Sequence, residues 1–170
     1  MYDTIIVRGA GDIATGIAHR LWRCGFRVLM TEIERPLVIR RFVSFAQAIM
    51  TGRAEVEGVC AVKADSIEEI YEIWDGNDIP VLCDSECRIR ESLNPMGVVD
   101  AILAKRNTGT SMDMAPITIG AGPGFEAGVD VDAVIETNRG HDLGKVILKG
   151  FARENTGIPG DIMGYTGERL

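Results

Sequence analysis

The sequence has few aromatic residues and contains no long hydrophobic run. Ten aromatic side chains in 170 residues are too few for a base-stacking platform or a sugar-binding groove. No apolar stretch reaches 18 residues, so no membrane-spanning segment is predicted. The first residues also lack the charged and apolar regions of a secretory signal, and a cytoplasmic location is therefore expected.

The net charge of −7 and the pI near 4.9 argue against general binding to nucleic acid. The charge is uneven, because residues 1–53 contain eight arginines and four acids, whereas residues 54–170 are strongly acidic. A basic N-terminal third in an acidic protein favours a small anionic ligand there. An arginine-rich helix face in contact with solvent is the alternative interpretation.

Strand and helix patterns alternate along the chain, in an ordinary globular composition with 46% hydrophobic and 25% charged residues. This alternation predicts an α/β fold of the Rossmann-like kind, with a mainly parallel sheet and helices on both faces. Residues 1–150 are expected to form a nucleotide-binding domain, followed by an irregular segment at 151–170 in a β-rich, glycine-rich C-terminal part. The predicted strands are 4–8, 26–31, 56–62, 79–83, 116–119, 134–136 and 145–148, and the predicted helices are 12–24, 37–50, 67–74 and 96–105.

A glycine-rich turn follows the first predicted strand and opens the first helix. Gly9, Gly11 and Ala14 fit the pattern G-x-G-x-x-G/A, and Glu32 ends the second strand about twenty residues later. Glycines allow a pyrophosphate close to the backbone at a positive helix end, and an acid at that distance binds ribose hydroxyls. The motif predicts a nucleotide or dinucleotide site, with a turn that binds no ligand as the alternative.

Asp12 does not fit a simple phosphate cradle. A carboxylate there repels a pyrophosphate, whereas a role in capping the helix would use donors that a phosphate needs. Glu32 disfavours the 2′-phosphate of NADP, so NAD is the more plausible of the two nicotinamide cofactors.

A second glycine turn, with Gly120, Gly122 and Gly124, follows the fifth predicted strand. Pro123 removes a backbone donor and no long helix follows, so this is not a second dinucleotide turn. The glycines either bring the backbone close to a bound ligand or simply turn the chain. His141, in the polar loop 136–144, is a weak candidate for a direct chemical role, with an exposed β-turn as the alternative.

Cys83 and Cys87 lie at the end of the fourth predicted strand and in the loop after it. The four cysteines of the chain read as thiols rather than disulfides, and no second pair stands at a zinc-binding distance, so no metal site is predicted. Buried structural thiols are one interpretation, and a carrier thiol for sulfur or selenium is another. The second requires an exposed thiol of low pKa, for which Cys87 is the candidate because Cys83 is expected to be half-buried.

Four stretches together resemble a known family: 8–16 (RGAGDIATG), 34–36 (ERP), 120–125 (GAGPGF) and 136–144 (ETNRGHDLG). The family is the accessory proteins of the selenium-dependent molybdenum hydroxylase system, relatives of the xanthine dehydrogenase accessory proteins. The resemblance covers the chain to about residue 165. It implies a Rossmann-like fold and a role in maturing a molybdenum hydroxylase, through its cofactor or its selenium, but it identifies no catalytic residue. Family members are longer, with a small β-rich module after this region, so the chain is expected to be part of a longer protein.

The sequence therefore predicts a domain that binds a nucleotide-type ligand, with molybdopterin dinucleotide as the leading candidate, and that assists a molybdenum hydroxylase. An NAD-dependent oxidoreductase is the rival in the enzyme class, although 170 residues leave little room for a substrate domain. A ligand-sensing regulatory module is a third possibility. A homo-oligomer is left open.

Overall fold

The computed structural model describes residues 3–154, which form two compact units. The first unit ends at Ile102 and the second begins at Leu103. Most of the predicted irregular segment 151–170 lies outside the described residues. No helix within residues 3–154 has the length and apolar character needed to cross a membrane.

The first unit alternates strands and helices, as the sequence predicts. Its strands are β1 (Thr4–Arg8), β2 (Arg27–Glu32), β3 (Arg53–Val56), β4 (Val59–Ala64), β5 (Ile79–Cys83) and β6 (Gly97–Asp100). Its α-helices are α1 (Asp12–Arg23), α2 (Gln47–Thr51), α3 (Ile67–Asp75) and α4 (Arg90–Leu93), with a 3₁₀ turn at Arg41–Val43.

The six strands of this unit lie in the order β6-β1-β2-β5-β4-β3. All neighbouring pairs are parallel except the β3–β4 hairpin. The chain moves outward from β1 through β2 and later returns to place β6 on the other side of β1. The strand order therefore reverses between β1 and β6, which is where ligands bind in open α/β sheets. An α/β fold with a mainly parallel sheet is confirmed.

The sheet is stable because its central strands are buried apolar runs, as expected for parallel strands covered on both faces. Ile6, Val7, Leu29, Met30 and Val81 have no exposed surface. On α3, Ser66 caps the helix by accepting a hydrogen bond from the Glu69 N–H at 3.2 Å. The Glu69 carboxylate accepts a hydrogen bond from the Asp65 N–H at 2.7 Å. The predicted capping box is therefore present, except that Glu69 binds the N–H of Asp65 rather than that of the N-cap residue Ser66.

Two of the predicted helices are wrong. Only Gln47–Thr51 of the predicted helix 37–50 is α-helical, because Leu37, Ile39 and Phe42 are exposed and a short helix without a buried face is not stable. Residues 97–100 of the predicted helix 96–105 form β6, whose four residues are all buried beside β1. The apolar run there has a helical spacing, but it pairs with the central strand instead.

The predicted third strand, 56–62, is a hairpin. Glu57 and Gly58 form its turn with positive φ angles of 49° and 77°, and β3 and β4 pair on either side of them. A two-residue turn of this kind matches the twist of antiparallel strands. The chain thus gains an additional edge strand, β3, in which only Ala54 and Val56 are partly buried.

The second unit is a smaller β structure. Its strands are β7 (Ile117–Ala121), β8 (Glu126–Ala127), β9 (Ala133–Ile135), β10 (Val146–Ile147) and β11 (Gly150–Phe151), with a 3₁₀ turn at Met112–Met114. β9 pairs in parallel with β7 and antiparallel with β10, while β11 pairs antiparallel with β8. Phe125, Val131 and Val134 form the centre of its hydrophobic cluster. The strands predicted at 116–119, 134–136 and 145–148 are present as β7, β9 and β10.

Candidate functional site

The carboxyl ends of four parallel strands meet at one edge of the first unit's sheet. In the strand register, Arg8 lies opposite both Thr31 and Asp100, and Glu32 lies opposite Cys83. The register of the strands therefore places four side chains at the same edge of the sheet: Arg8, Glu32, Cys83 and Asp100. The glycine turn follows Arg8 directly, at the point where the strand order reverses.

Gly9 is required by packing. Its φ angle is +91°, and a Cβ there would lie 3.0 Å from the Ala101 carbonyl oxygen and 3.1 Å from the Ile102 Cα. Its N–H donates to the Thr31 carbonyl at 2.7 Å. Gly9 thus holds β1 close to the chain that leaves β6, and this role needs no ligand.

Gly11 differs from Gly9, because its surroundings are open. Apart from its two chain neighbours, no described residue has a heavy atom within 4 Å of the position that a Cβ would take, and Gly11 has an ordinary extended backbone as the N-cap of α1. It contributes no side-chain cap, so the first N–H groups of α1 have no capping side chain at this position. Ala14, one turn into the helix, is fully buried. Open space beside the uncapped start of a 12-residue helix suits an anionic group.

Residues 44–46, which the sequence predicts as part of a helix, hold the glycine turn in place. The Ala10 carbonyl accepts hydrogen bonds from the Ser44 hydroxyl and the Ala46 N–H, each at 2.8 Å, and from the Thr15 hydroxyl at 3.2 Å. The Thr15 oxygen in turn accepts from the Phe45 N–H at 2.9 Å. This network is buried, so the turn has a defined shape before any ligand arrives. A Ser in a run predicted as helix gave no signal of this role.

Glu32 contacts the turn itself. Its Oε2 accepts from the Ala10 N–H and its Oε1 from the Ile33 N–H, both at 2.8 Å. The predicted ribose-binding acid thus joins the end of β2 to the glycine turn. Each carboxylate oxygen has a further acceptor site, so a ribose hydroxyl can bind beside these backbone donors.

Asp12 forms an ion pair with Arg40 rather than capping α1. Its carboxylate is partly buried and Arg40 is mostly exposed. Arg40 offsets the negative charge of Asp12, which does not suit a phosphate cradle, and it brings a guanidinium to the helix start. If Arg40 turns toward a bound phosphate, Asp12 remains as the opposing charge.

Three large apolar side chains follow Glu32 without any cover from the described residues. Leu37, Ile39 and Phe42 are 97%, 98% and 97% exposed. Residues 33–43, which we term the apolar loop, also contain three arginines. Isolated exposed apolar residues are common, but three within six residues are unusual for a protein surface.

Arg8 is a buried cation at this edge. Its guanidinium lies 3.2 Å from the Asp100 carboxylate, and both side chains are 1% exposed. It also donates to the Ser85 carbonyl at 2.9 Å, and Asp100 accepts from the Ile102 N–H at 3.1 Å. The pair therefore joins β1, β6 and the loop that carries Cys87.

Cys83 at the end of β5 and Cys87 in the loop after it have the opposite burial from that predicted. Cys83 is exposed and Cys87 is fully buried, with a left-handed backbone at φ 57°. Burial raises the pKa of Cys87 to about 11, although the nearby Arg8 opposes the change. Burial and the charge of Glu34 raise the pKa of Cys83. The expectation of an exposed, low-pKa thiol at Cys87 is wrong, because the loop after β5 turns inward over Arg8.

In the second unit, packing accounts for the glycines of the second turn. A Cβ at Gly120 would lie 2.5 Å from the Phe125 ring, and one at Gly124 would lie 3.0 Å from the Arg106 backbone. At Gly122, φ is +83° and the Thr137 hydroxyl would be 2.7 Å away. The chain-turning interpretation thus has a contact to support it at each position.

The polar loop 136–144 is organised by a buried carboxylate. Glu136 accepts from the Asn138 N–H at 2.8 Å and from the Arg153 N–H at 2.9 Å. Asp142 forms ion pairs with Lys145 and Arg153. His141 is exposed on this loop.

Comparison with known proteins gives one named relative. The chain is 54% identical over 169 residues to the "Uncharacterized protein YqeB" of Escherichia coli strain K12, and the match covers 99% of this chain and 31% of that protein. The chain therefore spans about a third of the length of the relative it matches. No family model matches the chain, and no solved structure matches it.

Proposed function

We propose that the first unit binds a nucleotide-containing ligand at the glycine turn, residues 9–14. The observation that carries the proposal is the open space at Gly11, beside the uncapped start of α1 and at the reversal of the strand order. A pyrophosphate there accepts hydrogen bonds from backbone N–H groups and is stabilised by the helix dipole. Glu32 stands at the end of the neighbouring strand, where it can accept from ribose hydroxyls.

We further propose that this ligand is a molybdopterin dinucleotide and that the protein assists the maturation of a selenium-dependent molybdenum hydroxylase. The resemblance of residues 8–16, 34–36, 120–125 and 136–144 to that accessory family supports the pathway. The residues present fit the pyrophosphate of such a cofactor, because Gly11 leaves room and Arg40 brings a positive charge. When bound, the cofactor supplies the molybdenum-ligating dithiolene chemistry of the partner enzyme, and this protein's residues hold and orient its nucleotide end.

The fold that we propose is Rossmann-like, with one difference from the usual dinucleotide-binding sheet. That sheet places its third strand along the chain beside its second, whereas here β5 takes this place and the β3–β4 hairpin lies outside it. The half of the sheet that forms the glycine turn, β1-α1-β2, retains the usual arrangement. We also propose a cytoplasmic site of action, which agrees with four cysteines that form no disulfide.

Cys87 adds nothing to a sulfur- or selenium-carrier mechanism, since its thiol is buried and its pKa is raised to about 11. The proposal therefore concerns cofactor handling rather than carriage on this residue.

A ligand panel tests the proposal. The chain is heated with NAD, NADP, ATP or molybdopterin cytosine dinucleotide, and a ligand at 100 times its Kd is expected to add about 2.7 kcal/mol of stability. Stabilisation by the molybdopterin dinucleotide alone supports the proposal. Stabilisation by NAD alone supports the rival oxidoreductase, and no response to any nucleotide overturns nucleotide binding at this turn.

Substitutions then assign the response to the turn. Gly11→Val is expected to abolish binding while the unit stays folded, because the side chain enters open space. Gly16→Val is the matched control, since Gly16 lies on α1 with equally open surroundings but away from the turn. Asp12→Asn is expected to tighten binding and Arg40→Gln to weaken it, each by about fivefold for a charge effect near 1 kcal/mol. Equal binding by Gly11→Val and the parent contradicts the proposed site.

A further inference from the structure

A cavity of about 490 Å³ opens along one face of α1. His19, Arg20 and Arg23 line its helix side. Residues three and four apart on a helix are neighbours, with Cβ atoms about 5–6 Å apart, so the three side chains reach one shared space. The volume is in the range of small-molecule sites.

Three basic side chains of the cavity lack partners at their nitrogen atoms among the described residues. The Nε2 atom of His19 is buried and has no hydrogen-bond partner among residues 3–154. Arg20 and Arg23 form no ion pair or hydrogen bond through their side chains with any described residue. A buried polar atom without a partner costs free energy, and a bound acceptor would satisfy it.

The opposite wall is of mixed character. Val43 and Val56 provide apolar surface, and Glu57 provides a carboxylate at the β3–β4 turn. Asp12 lies at one end and is already paired with Arg40. A ligand here therefore meets two guanidinium groups and an imidazole on one side, and a small apolar surface with one acceptor on the other.

We infer that this cavity binds the phosphate group of a small phosphomonoester. Arginine forks bind phosphate oxygens in pairs, and the Nε2–H of His19 supplies a further donor. The cavity is larger than a phosphate alone requires, so the organic part lies against Val43 and Val56, with a hydroxyl or amine that donates to Glu57. The inference rests on His19, Arg20 and Arg23 and makes no use of Gly11, although Asp12 of the glycine turn lies at one end of the cavity.

Proton NMR of the two histidines tests the inference on the full chain. The chain has only His19 and His141, so their ring Cε1 protons are readily distinguished by a His141→Gln spectrum. Inorganic phosphate and then glycerol 3-phosphate are added at constant pH and ionic strength. The His19 signal is expected to move and to saturate, while the His141 signal stays in place, and glycerol 3-phosphate is expected to bind at least threefold more tightly.

Matched variants assign the response to the arginines. Arg20→Gln/Arg23→Gln is expected to weaken binding at least tenfold, whereas Lys105→Gln/Arg139→Gln removes the same charge from the second unit and is expected to change it less than twofold. Both cavity arginines lie in the last turn of α1, where a cation also stabilises the helix. Arg20→Lys/Arg23→Lys keeps that charge, and it is expected to retain the fold while still weakening binding, because lysine lacks the bidentate fork.

Four results would overturn the inference. These are equal movement of both histidine signals, a response that does not saturate, binding by the glutamine double variant that equals the parent, and tighter binding of citrate than of either phosphate, which would indicate a carboxylate site. Gly11→Val separates the two sites, since it is expected to lose the nucleotide but to retain the phosphate response. Loss of both responses would place the phosphate at the glycine turn instead.

Discussion

Removing one partner of the buried Arg8–Asp100 pair is expected to be the most costly polar substitution in the first unit. The two side chains are 1% exposed and 3.2 Å apart, and at an effective dielectric of about 20 such a pair attracts by roughly 5 kcal/mol. Asp100→Asn keeps the shape and an acceptor for the Ile102 N–H, but it leaves the Arg8 guanidinium as a buried charge. We expect a loss of about 3–5 kcal/mol in the free energy of unfolding, against a usual total of about 5–15 kcal/mol.

Urea unfolding followed by tryptophan fluorescence measures this loss. Both tryptophans belong to the first unit, and Trp74 is largely buried, with its indole N–H donating to the Val28 carbonyl at 2.8 Å. The fluorescence therefore reports on the unit that contains the ion pair. The slope of the free energy against urea should stay near the parent value.

The control is an exposed pair of the same chemistry. Arg88 and Glu86 form an ion pair with side chains 76% and 66% exposed, so Glu86→Gln is expected to cost no more than about 1 kcal/mol. A double variant, Arg8→Met/Asp100→Leu, should cost less than Asp100→Asn, because it leaves no unpaired charge. If Asp100→Asn and Glu86→Gln lower the free energy of unfolding equally, burial does not determine the cost of breaking the Arg8–Asp100 pair.

Two further predictions concern side chains near this edge. Iodoacetamide should label Cys83 and Cys24 before Cys87, because the first two are exposed and burial raises the pKa of Cys87 to about 11. The neutral buried thiol stabilises the fold up to the ordinary thiol pKa of about 9, and this contribution should fall as the pH rises from there toward 11. Early labelling of Cys87 at pH 8, read by mass-spectrometric site mapping, would contradict the structure. Phe45→Ala should lower the free energy of unfolding in urea by about 3–5 kcal/mol, because Phe45 is fully buried. Phe42→Ser should change that free energy by no more than about 0.5 kcal/mol, because Phe42 is 97% exposed. Similar costs for the two variants would mean that Phe42 is covered in solution.

The local signals that predicted correctly were those whose physical cause lies within a few residues. Apolar β-branched residues at 4–8, the glycine turn after them and the cap at Ser66 each specify their structure through neighbours in the chain. The prediction of a helix at 37–50 is wrong because apolar residues at helical spacing indicate a buried face, whereas Leu37, Ile39 and Phe42 are exposed.

The predictions that failed depend on distant partners. β6 is a strand because β1 lies beside it, about 90 residues earlier in the chain, and no local pattern contains this information. Cys87 is buried because the loop after β5 is bound through Ser85 to Arg8. At the candidate site, the spacing of Glu32 from the glycine turn makes it a candidate for binding a ribose. The hydrogen bond that Glu32 accepts from the Ala10 N–H, 22 residues earlier, does not follow from that spacing.

The position of β6 also affects the order in which the protein is assembled during synthesis. β1 is the second strand in the sheet order of its unit, between β2 and β6, and Arg8 lies 92 residues before its partner Asp100. At a ribosomal rate of about 5–20 residues per second, the nascent chain waits on the order of 5–20 s between the two. During this interval one edge of β1 is unpaired and the Arg8 charge has no carboxylate partner. The nascent unit therefore exposes backbone N–H and C=O groups that can pair with another chain. We therefore expect a nascent chain stopped before residue 97 to be a substrate for chaperones, and one that has released residue 102 to be resistant to proteases.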